Sequence, residues 1–511
     1  MDFLWFQAIV VLFPIVLFSF FLCRILRTNN SVSTKRFPPS PPKLPIIGNL
    51  HQLGKYPHRS LESLSRKYGD LMLLHLGNKP TLVVSSASAA QQIMKTHDLI
   101  FSNRPHLSMP NRLFYNNKDV AFAPYGEYWK QMRSIVVLQL LSSKRVQSFR
   151  AVRQEEVALL IENIGRSIPF PVNLSKLFIT LTNDVVCRVA FGRKYSGEED
   201  DAANFREILK MYVELLGTFY LGDYIPWLAW IQRVNGFDAK VSRVAKDFDR
   251  LLEGILEEHM DRQNKQKNDD QKGDIAKDFV DVLLEVQMDN TVGFQIDRDS
   301  IKAQILDVFG GGTNTTYAVL EWAMTELLRH PKIMKKLQME VRGVVRSNAE
   351  VTEDDLEKMN YLRAVIKETL RLHPPGPLLL PHESTEDVKI NGYDIVAGTR
   401  VIVNAWAIQR DPASWEEPDK FYPDRFLNSI IDFRGQDFQL IPFGAGRRRC
   451  PGLLFAMVID ELALANLLHG FDWSLPPGDG GKALDMSESI GIATHRKTPL
   501  IAMASPASSS F

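Results

Sequence analysis

The residue types that could do chemistry in this chain gather in one run, Phe443-Gly444-Ala445-Gly446-Arg447-Arg448-Arg449-Cys450-Pro451-Gly452. A single cysteine follows a glycine-rich, cationic loop and precedes a long apolar helical stretch, 453–468. Glycines at 444, 446 and 452 let backbone amides approach a neighbouring anion closely. Nearby guanidiniums favour a thiolate and can hold carboxylates in bidentate fashion. A lone cysteine is more often an inert core thiol. Here an anionic sulfur among amide donors, with arginines for further anions, is the chemistry of a thiolate that binds a metal group. The other two cysteines, Cys23 and Cys187, are distant in sequence and form no Cys-x-x-Cys pair. A zinc site or disulfide framework is therefore not expected, and a reducing, cytosol-facing location fits.

The elements that must position this loop follow from composition and periodicity. The chain has 511 residues, a net charge of +1 and 45% apolar residues, enough for a large core. The near-neutral balance lacks the basic excess of nucleic-acid binders. Most of the body reads as helix. Residues 71–76 and 81–85 read as a hairpin, and a second hairpin turns at Asn391-Gly392, with 399–403 continuing that small sheet. The charged, aperiodic stretch 263–277 reads as a solvated loop. A proline-free helix over 299–329 would run about 46 Å. Its centre is Gly310-Gly311-Gly312-Thr313-Asn314-Thr315-Thr316. Each glycine costs about 1 kcal/mol against alanine, so something presses on the backbone there or the helix opens locally. A crowded helix crossing would also use small residues, and no Gly-Lys-Ser/Thr follows to make a nucleotide loop. Glu368 and Arg371, at i and i+3 on a helix beginning near Thr352, would alone be a surface pair worth about 0.5 kcal/mol.

The N-terminus carries a different signal. Residues 3–23 are almost unbroken Phe, Leu, Ile and Val, and at about 1.5 Å each they match a bilayer core. The run is too long for a cleaved signal peptide, and no small-x-small site follows it. Arg24, Arg27, Lys35 and Arg36 come after the span and only Asp2 before it, which puts the body in the cytosol. Five prolines in 38–45 then make a stiff spacer.

Phe443, Gly446, Arg448, Cys450 and Gly452 together resemble the haem-binding signature Phe-x-x-Gly-x-Arg-x-Cys-x-Gly of the cytochrome P450 superfamily. The remaining motifs resemble that family in order along the chain. Trp129 and Arg133 match Trp-x-x-x-Arg, whose indole and guanidinium would reach the haem propionates, and Arg448 and His382 would join them. Gly311 to Thr316 matches the oxygen-activation motif, with Asn314 where the family usually has an acid. Glu368, Arg371 and Arg425 would lock the region bearing the haem loop, although Asp424 replaces the commoner glutamate beside Arg425. The hinge and the loop look like those of plant A-type microsomal members, which act on specialised metabolites. In that family the pocket would draw on 104–115, the glycine-rich helix centre, 378–380 and 489–493.

The resemblance implies a mostly α fold with small β-sheets, the cytochrome P450 fold, on an N-terminal transmembrane helix. The expected organisation is an anchor at 1–23, a basic and proline-rich hinge at 24–49, and a haem-thiolate catalytic domain at 50–511. The cofactor would be haem b, with NADPH electrons arriving through NADPH-cytochrome P450 reductase and cytochrome b5 as an optional second donor. The implied reaction inserts one oxygen of O2 into a small, mainly apolar terpenoid, phenylpropanoid or alkaloid, at the endoplasmic reticulum membrane. Cys450 would ligate iron, and Thr315, with Asn314, would guide protons to the oxygen. Two alternatives stand beside this. One is a haem-thiolate enzyme of non-inserting type (ring closure, desaturation, dehydration or isomerisation), to which Asn314 gives weight. The other is a non-catalytic membrane haem protein, against which Thr315 and the glycine-broken helix argue.

Overall fold

The computed structural model describes residues 35–195, 200–268, 277–288, 294–345, 350–477, 484–489 and 491–507. The proposed anchor at 1–23 and the first part of the hinge lie outside the described residues. Eight helices matter for the site: α1 (Glu127–Ile135), α2 (Leu174–Phe191), α3 (Asp200–Leu216), α4 (Phe237–Asn268), α5 (Arg298–Gly312), α6 (Asn314–Arg329), α7 (Asn360–Leu372) and α8 (Leu453–Gly470). They share one large apolar core through residues such as Phe178, Phe309, Leu320, Leu362 and Leu464. Among the described residues, α8 is the one helix long and apolar enough to cross a membrane. It is 67% buried inside the protein, so it is a core helix.

The predicted long helix is two helices. Asp297 caps α5, accepting the Ser300 N–H, and Pro331 follows the end of α6. Thr313 (φ −82°, ψ −64°) is a one-residue distortion that divides α5 from α6, although its N–H still donates to Phe309 O at 3.3 Å and its carbonyl accepts Tyr317 N–H at 3.2 Å. The glycine run makes this distortion cheap. The helix expected to start near Thr352 is also two: a four-residue turn, Glu353–Leu356, closed by a Thr352/Asp355 capping box, and then α7. The stretch 263–277 is a loop only in part, because α4 continues to Asn268 and 269–276 lie outside the described residues. Its interior-facing positions, such as Phe248, Leu252 and Leu256, carry the helical period that the charged tail obscures.

Strands β1 (Leu71–Leu76) and β2 (Lys79–Val84) form the first expected hairpin, with Leu71 opposite Val84. β3 (Val172–Asn173) pairs with β9 (Ile501–Pro506), which also pairs with β8 (Phe471–Ser474). β5 (Val388–Ile390) and β6 (Tyr393–Ile395) turn at Asn391 (φ 48°) and Gly392 (φ 80°), the left-handed pair a tight hairpin requires. The expectation that 399–403 continues this hairpin is wrong. β7 (Arg400–Val403) instead lies parallel to β2 and antiparallel to β4 (His382–Glu383). Val401 and Val403 are buried in the core beneath that sheet, which fixes the choice. The β1–β2 turn makes two further contacts. Gly77 N–H donates to Ile47 O at 3.1 Å, and Asn78 N–H donates to Tyr224 O at 3.0 Å. Gly77 has φ +61°, and any Cβ there would strike the Tyr224 carbonyl.

Candidate active site

The cysteine loop is held before α8 by its own backbone and by two neighbours. Cys450 N–H donates to Phe443 O at 2.9 Å. Gly446, at φ +67°, presses on the Met94 carbonyl and the Asp98 carboxylate, where a side chain would collide with both. Asp98 also accepts Arg447 N–H at 3.2 Å and pairs with the Arg447 side chain. From behind, Gln409 accepts Ile441 N–H at 3.0 Å and donates to the Leu370 and Arg371 carbonyls, tying the loop to α7.

Behind Gln409 lies the predicted lock. Arg371 donates to both oxygens of Glu368 at 2.7 and 2.8 Å, and Arg425 donates to Glu368 Oε1 at 3.1 Å. The spacing alone suggested a surface pair; both side chains are 0% exposed. Asp424 turns outward to Lys336 and Tyr361, so the residue that departs from the family pattern is not part of the lock.

Cys450 is an exposed residue although its thiol is surrounded by protein atoms. Burial pushes the thiol up, while the Gly452 N–H and the charges of Arg133 and Arg449 pull it down. Burial prevails, so a close cation is needed to hold the sulfur as thiolate. Cys187 is buried with Asp184 as its charged neighbour, and its thiol is pushed well up, as an inert core cysteine should be.

One rim of the site gathers nearly every expected propionate residue. Arg448 stacks on the Trp129 indole, 4.2 Å from guanidinium to ring centre. It donates to the carbonyls of Ser102 (2.7 Å), Val120 (3.2 Å) and Ala123 (2.6 Å). Trp129 Nε1–H donates to Val120 O at 3.0 Å, and Arg133 donates to Arg449 O. His382 is buried, not a surface residue, with Nδ1 on Phe101 O at 2.8 Å. Burial and the charges of Arg104 and Arg448 drop it to about 3, so the ring is neutral. Phe443 packs edge-on against Phe433. Gly452 sits beside the sulfur, where a Cβ would lie 3.8 Å from it.

The sequence reading placed Arg104 only at the start of a pocket segment. The structure puts it in this cluster, donating to the carbonyls of Ala121, Leu380 and Pro381. Burial lowers Arg104 to about 10; burial and Arg104 lower Arg448 to about 8. Guanidiniums do not lose their proton in proteins, so these depressions mark neighbouring cations stripped of water by burial, which Asp119 and Asp307 offset in part. Two carboxylates on one ligand edge would add to that offset. The donor set thus fits a thiolate-ligated haem: one sulfur with an amide donor, and three guanidiniums, an indole and an imidazole at one rim.

Across the interior, Gly311 is exposed in a helix whose outer faces are buried, and a Cβ there would meet nothing within 4 Å. Thr315 donates its hydroxyl to Gly311 O. Its hydrogen is committed, so toward a ligand it can only accept. Asn314 is half-buried, while the Thr313 hydroxyl is buried with no partner among the described residues. Among the described residues, one further group could hold a cation: His259, Asp278 and Asp281. Its atoms are already spent on each other, with His259 on Asp278 at 2.9 Å and Asp281 N–H on Asp278 at 2.9 Å.

Comparison with known proteins agrees with this geometry. A family model described as Cytochrome P450 matches residues 38–503. Cytochrome P450 736A117 of Prunus mume is 55% identical over 98% of this chain and 95% of its own length. Cytochrome P450 71A25 of Arabidopsis thaliana is 52% identical over 96% of this chain and 98% of its own. Norfluorocurarine oxidase of a Strychnos species is 52% identical over 98% of both chains. A zebra fish cytochrome P450 solved with progesterone superposes with a TM-score of 0.76 at 27% identity, over 88% of this chain and 99% of that one. The chain belongs to the cytochrome P450 family, haem-containing monooxygenases supplied with electrons by a reductase.

Proposed function

We propose that this cytochrome P450 inserts one oxygen atom of O2 into a small, mainly apolar plant specialised metabolite (terpenoid, phenylpropanoid or alkaloid). The observation that carries the reading is exposed Gly311 in a buried helix, one turn before a threonine whose hydroxyl can only accept. The likeness to an oxidase named for norfluorocurarine supports the substrate range.

In this reading Cys450 would ligate the haem iron through its sulfur, and Trp129, Arg133, Arg448 and His382 would hold the propionates. When bound, haem supplies the oxygen-activating redox chemistry that no side chain here possesses. The chain's own residues bind, orient and deliver protons. The Gly452 N–H and the Arg133 charge favour anionic sulfur. Thr315, with its hydrogen on Gly311 O, holds a proton-bearing partner over the exposed glycine. Asn314 can order a water there but cannot itself reload the relay.

The proposed setting is the cytosolic face of the endoplasmic reticulum. Trp227 and Trp230 are 62% and 57% exposed, so they lie on the surface and not in the core. Exposed Leu44 and Ile46 adjoin Ile47, which the Gly77–Asn78 turn joins to the tryptophan segment. Tryptophans in such a patch suit the headgroup zone. The reductase would dock where Arg447, Arg449 and Lys130 are exposed around the cysteine loop.

The test is reconstitution with a plant reductase in vesicles, NADPH and isotopically heavy O2, against a panel of the three metabolite classes. Products carrying the heavy oxygen are expected. Asn314 favours a second reading, oxidative ring closure or desaturation, in which O2 is consumed but product carries no label. NADPH and O2 use unchanged by every panel member would remove the proposed substrate range.

A further inference from the structure

We propose that Asp307 is a positioning residue for the haem propionates: it fixes the turn at 118–123 so that the carbonyls of that turn hold Arg104, Trp129 and Arg448 in place. This rests on the reading above that the rim cluster binds the propionates.

The turn needs an outside support. Residues 118–123 belong to no helix or strand, and Tyr115, Asn116 and Asn117 before them are all left-handed (φ 50°, 61° and 58°). No regular backbone pairing sets the direction of these peptides, so side chains must. One face of α5 does so. Ser300, Gln304 and Asp307 are spaced i, i+4 and i+7 and share that face. Tyr128 of α1 donates to Lys118 O at 2.6 Å with the Ser300 hydroxyl 3.0 Å away, and Gln304 donates its amide to the same carbonyl at 2.7 Å. Asp307 accepts the N–H groups of both Val120 (2.7 Å) and Ala121 (3.0 Å) on one oxygen, Oδ2.

The other side of the same peptides meets the rim. Val120 O accepts from Trp129 Nε1 at 3.0 Å and from Arg448 at 3.2 Å. Ala121 O accepts from Arg104 at 2.9 Å, and Ala123 O from Arg448 at 2.6 Å. The peptide unit between Val120 and Ala121 is planar, so its N–H and its C=O point opposite ways. With that N–H fixed on Asp307, the carbonyl is aimed at Trp129 and Arg448. Asp119 does the same for the next unit, accepting Phe122 N–H at 2.7 Å while the Ala121 carbonyl faces Arg104.

Charge follows the same plan. The Asp119 and Asp307 carboxylates oppose each other, and burial pushes Asp307 up to about 6. The Val120 and Ala121 N–H groups and the charges of Arg133 and Arg104 pull it back, while Arg448 acts on Asp119. Two mutually repelling carboxylates are thus kept together where each holds an N–H of the turn beneath the guanidiniums.

The experiment measures haem transfer from the full-length holoprotein to excess apomyoglobin, beside urea unfolding followed by far-UV circular dichroism. Asp307→Ala strands two N–H groups and should release haem about tenfold faster than wild type, the effect of one buried donor left unpaired. Asp307→Asn, whose side-chain oxygen can accept both N–H groups, should release it at about the wild-type rate. Asp307→Glu keeps the charge but is one methylene too long, and should lose haem faster than the asparagine variant; if Asp307→Ala does not fold, that order decides. Haem loss that is unchanged, or that rises only in step with a lower urea midpoint, overturns the positioning role. So does an asparagine variant that loses haem as fast as the alanine or glutamate variant. Arg448→Ala separates the two readings. If it leaves haem loss unchanged, the propionate reading falls and the positioning role with it; if it speeds haem loss and the Asp307 variants do not, the positioning role alone falls.

Discussion

Glu368→Ala should be among the most damaging single changes outside the haem loop. The Glu368 carboxylate accepts two bonds from Arg371, one from Arg425 and the Tyr422 N–H at 2.8 Å, with its side chain and that of Arg371 wholly buried. Arg371 keeps carbonyl partners at Gln409, Pro418 and Lys420, but these solvate a cation without neutralising it. Stranding a buried charge in this way costs about 3–5 kcal/mol, against a total stability of about 5–15 kcal/mol. Through Gln409 the loss reaches Ile441 and the cysteine loop. The half-exposed Lys336–Asp424 pair is the control, worth at most about 1 kcal/mol. The assay is urea titration of the haem-loaded protein, following the carbon monoxide band of the reduced form. Glu368→Ala should lose the band at clearly lower urea than wild type, and Lys336→Ala at nearly the same concentration. Equal midpoints for the two variants would refute the claim that the lock carries the loop.

Other outcomes follow from the same geometry. Cys450→Ala should abolish the thiolate-type carbon monoxide band and most haem binding, while Cys187→Ala, in the core, should keep both. Thr315→Ala should raise peroxide release per NADPH consumed and lower product, and Asn314→Asp should be tolerated or faster; product formation indifferent to both would remove the proton role of this turn. Neutralising Arg447, which is exposed and paired only at its edge with Asp98, should slow reduction by the reductase and flatten its salt dependence at unchanged haem content. With residues 1–36 deleted, the protein should still cosediment partly with vesicles, and Trp227→Ser with Trp230→Ser should release it; full release by the deletion alone would count against the tryptophan contact.

The motif-bearing residues were legible because their chemistry is local. Cys450, Arg448 and Gly452 sit in one loop, and Trp129 and Arg133 share one helix face. The glycine run announced a weak point in the long helix, and the structure puts the break at Thr313. What the sequence hid is non-local. Nothing in Arg104's neighbours says that it will meet Leu380 and Pro381, some 276 positions away. The burial of Glu368 and Arg371 depends on Gln409, Pro418 and Lys420 folding over them, so spacing alone returned a surface pair. The partner of β7 was misassigned because strand order depends on which apolar face a sheet must cover, and a short run such as Arg400–Val403 fits either neighbour.

The β1–β2 turn has a consequence for how the protein would hold a bilayer. It binds Ile47 on one side and Tyr224 on the other, so the end of the hinge and the tryptophan segment are tied to one turn. In the proposed setting, once one contact were made the other would be presented at a high effective concentration, and their affinities would combine far more strongly than those of two independently tethered patches. Retention would then depend on a glycine that touches no lipid. Loosening the turn at Gly77 would then weaken membrane attachment without removing a single apolar side chain, and would uncouple the angle of the catalytic body from that of the proposed anchor.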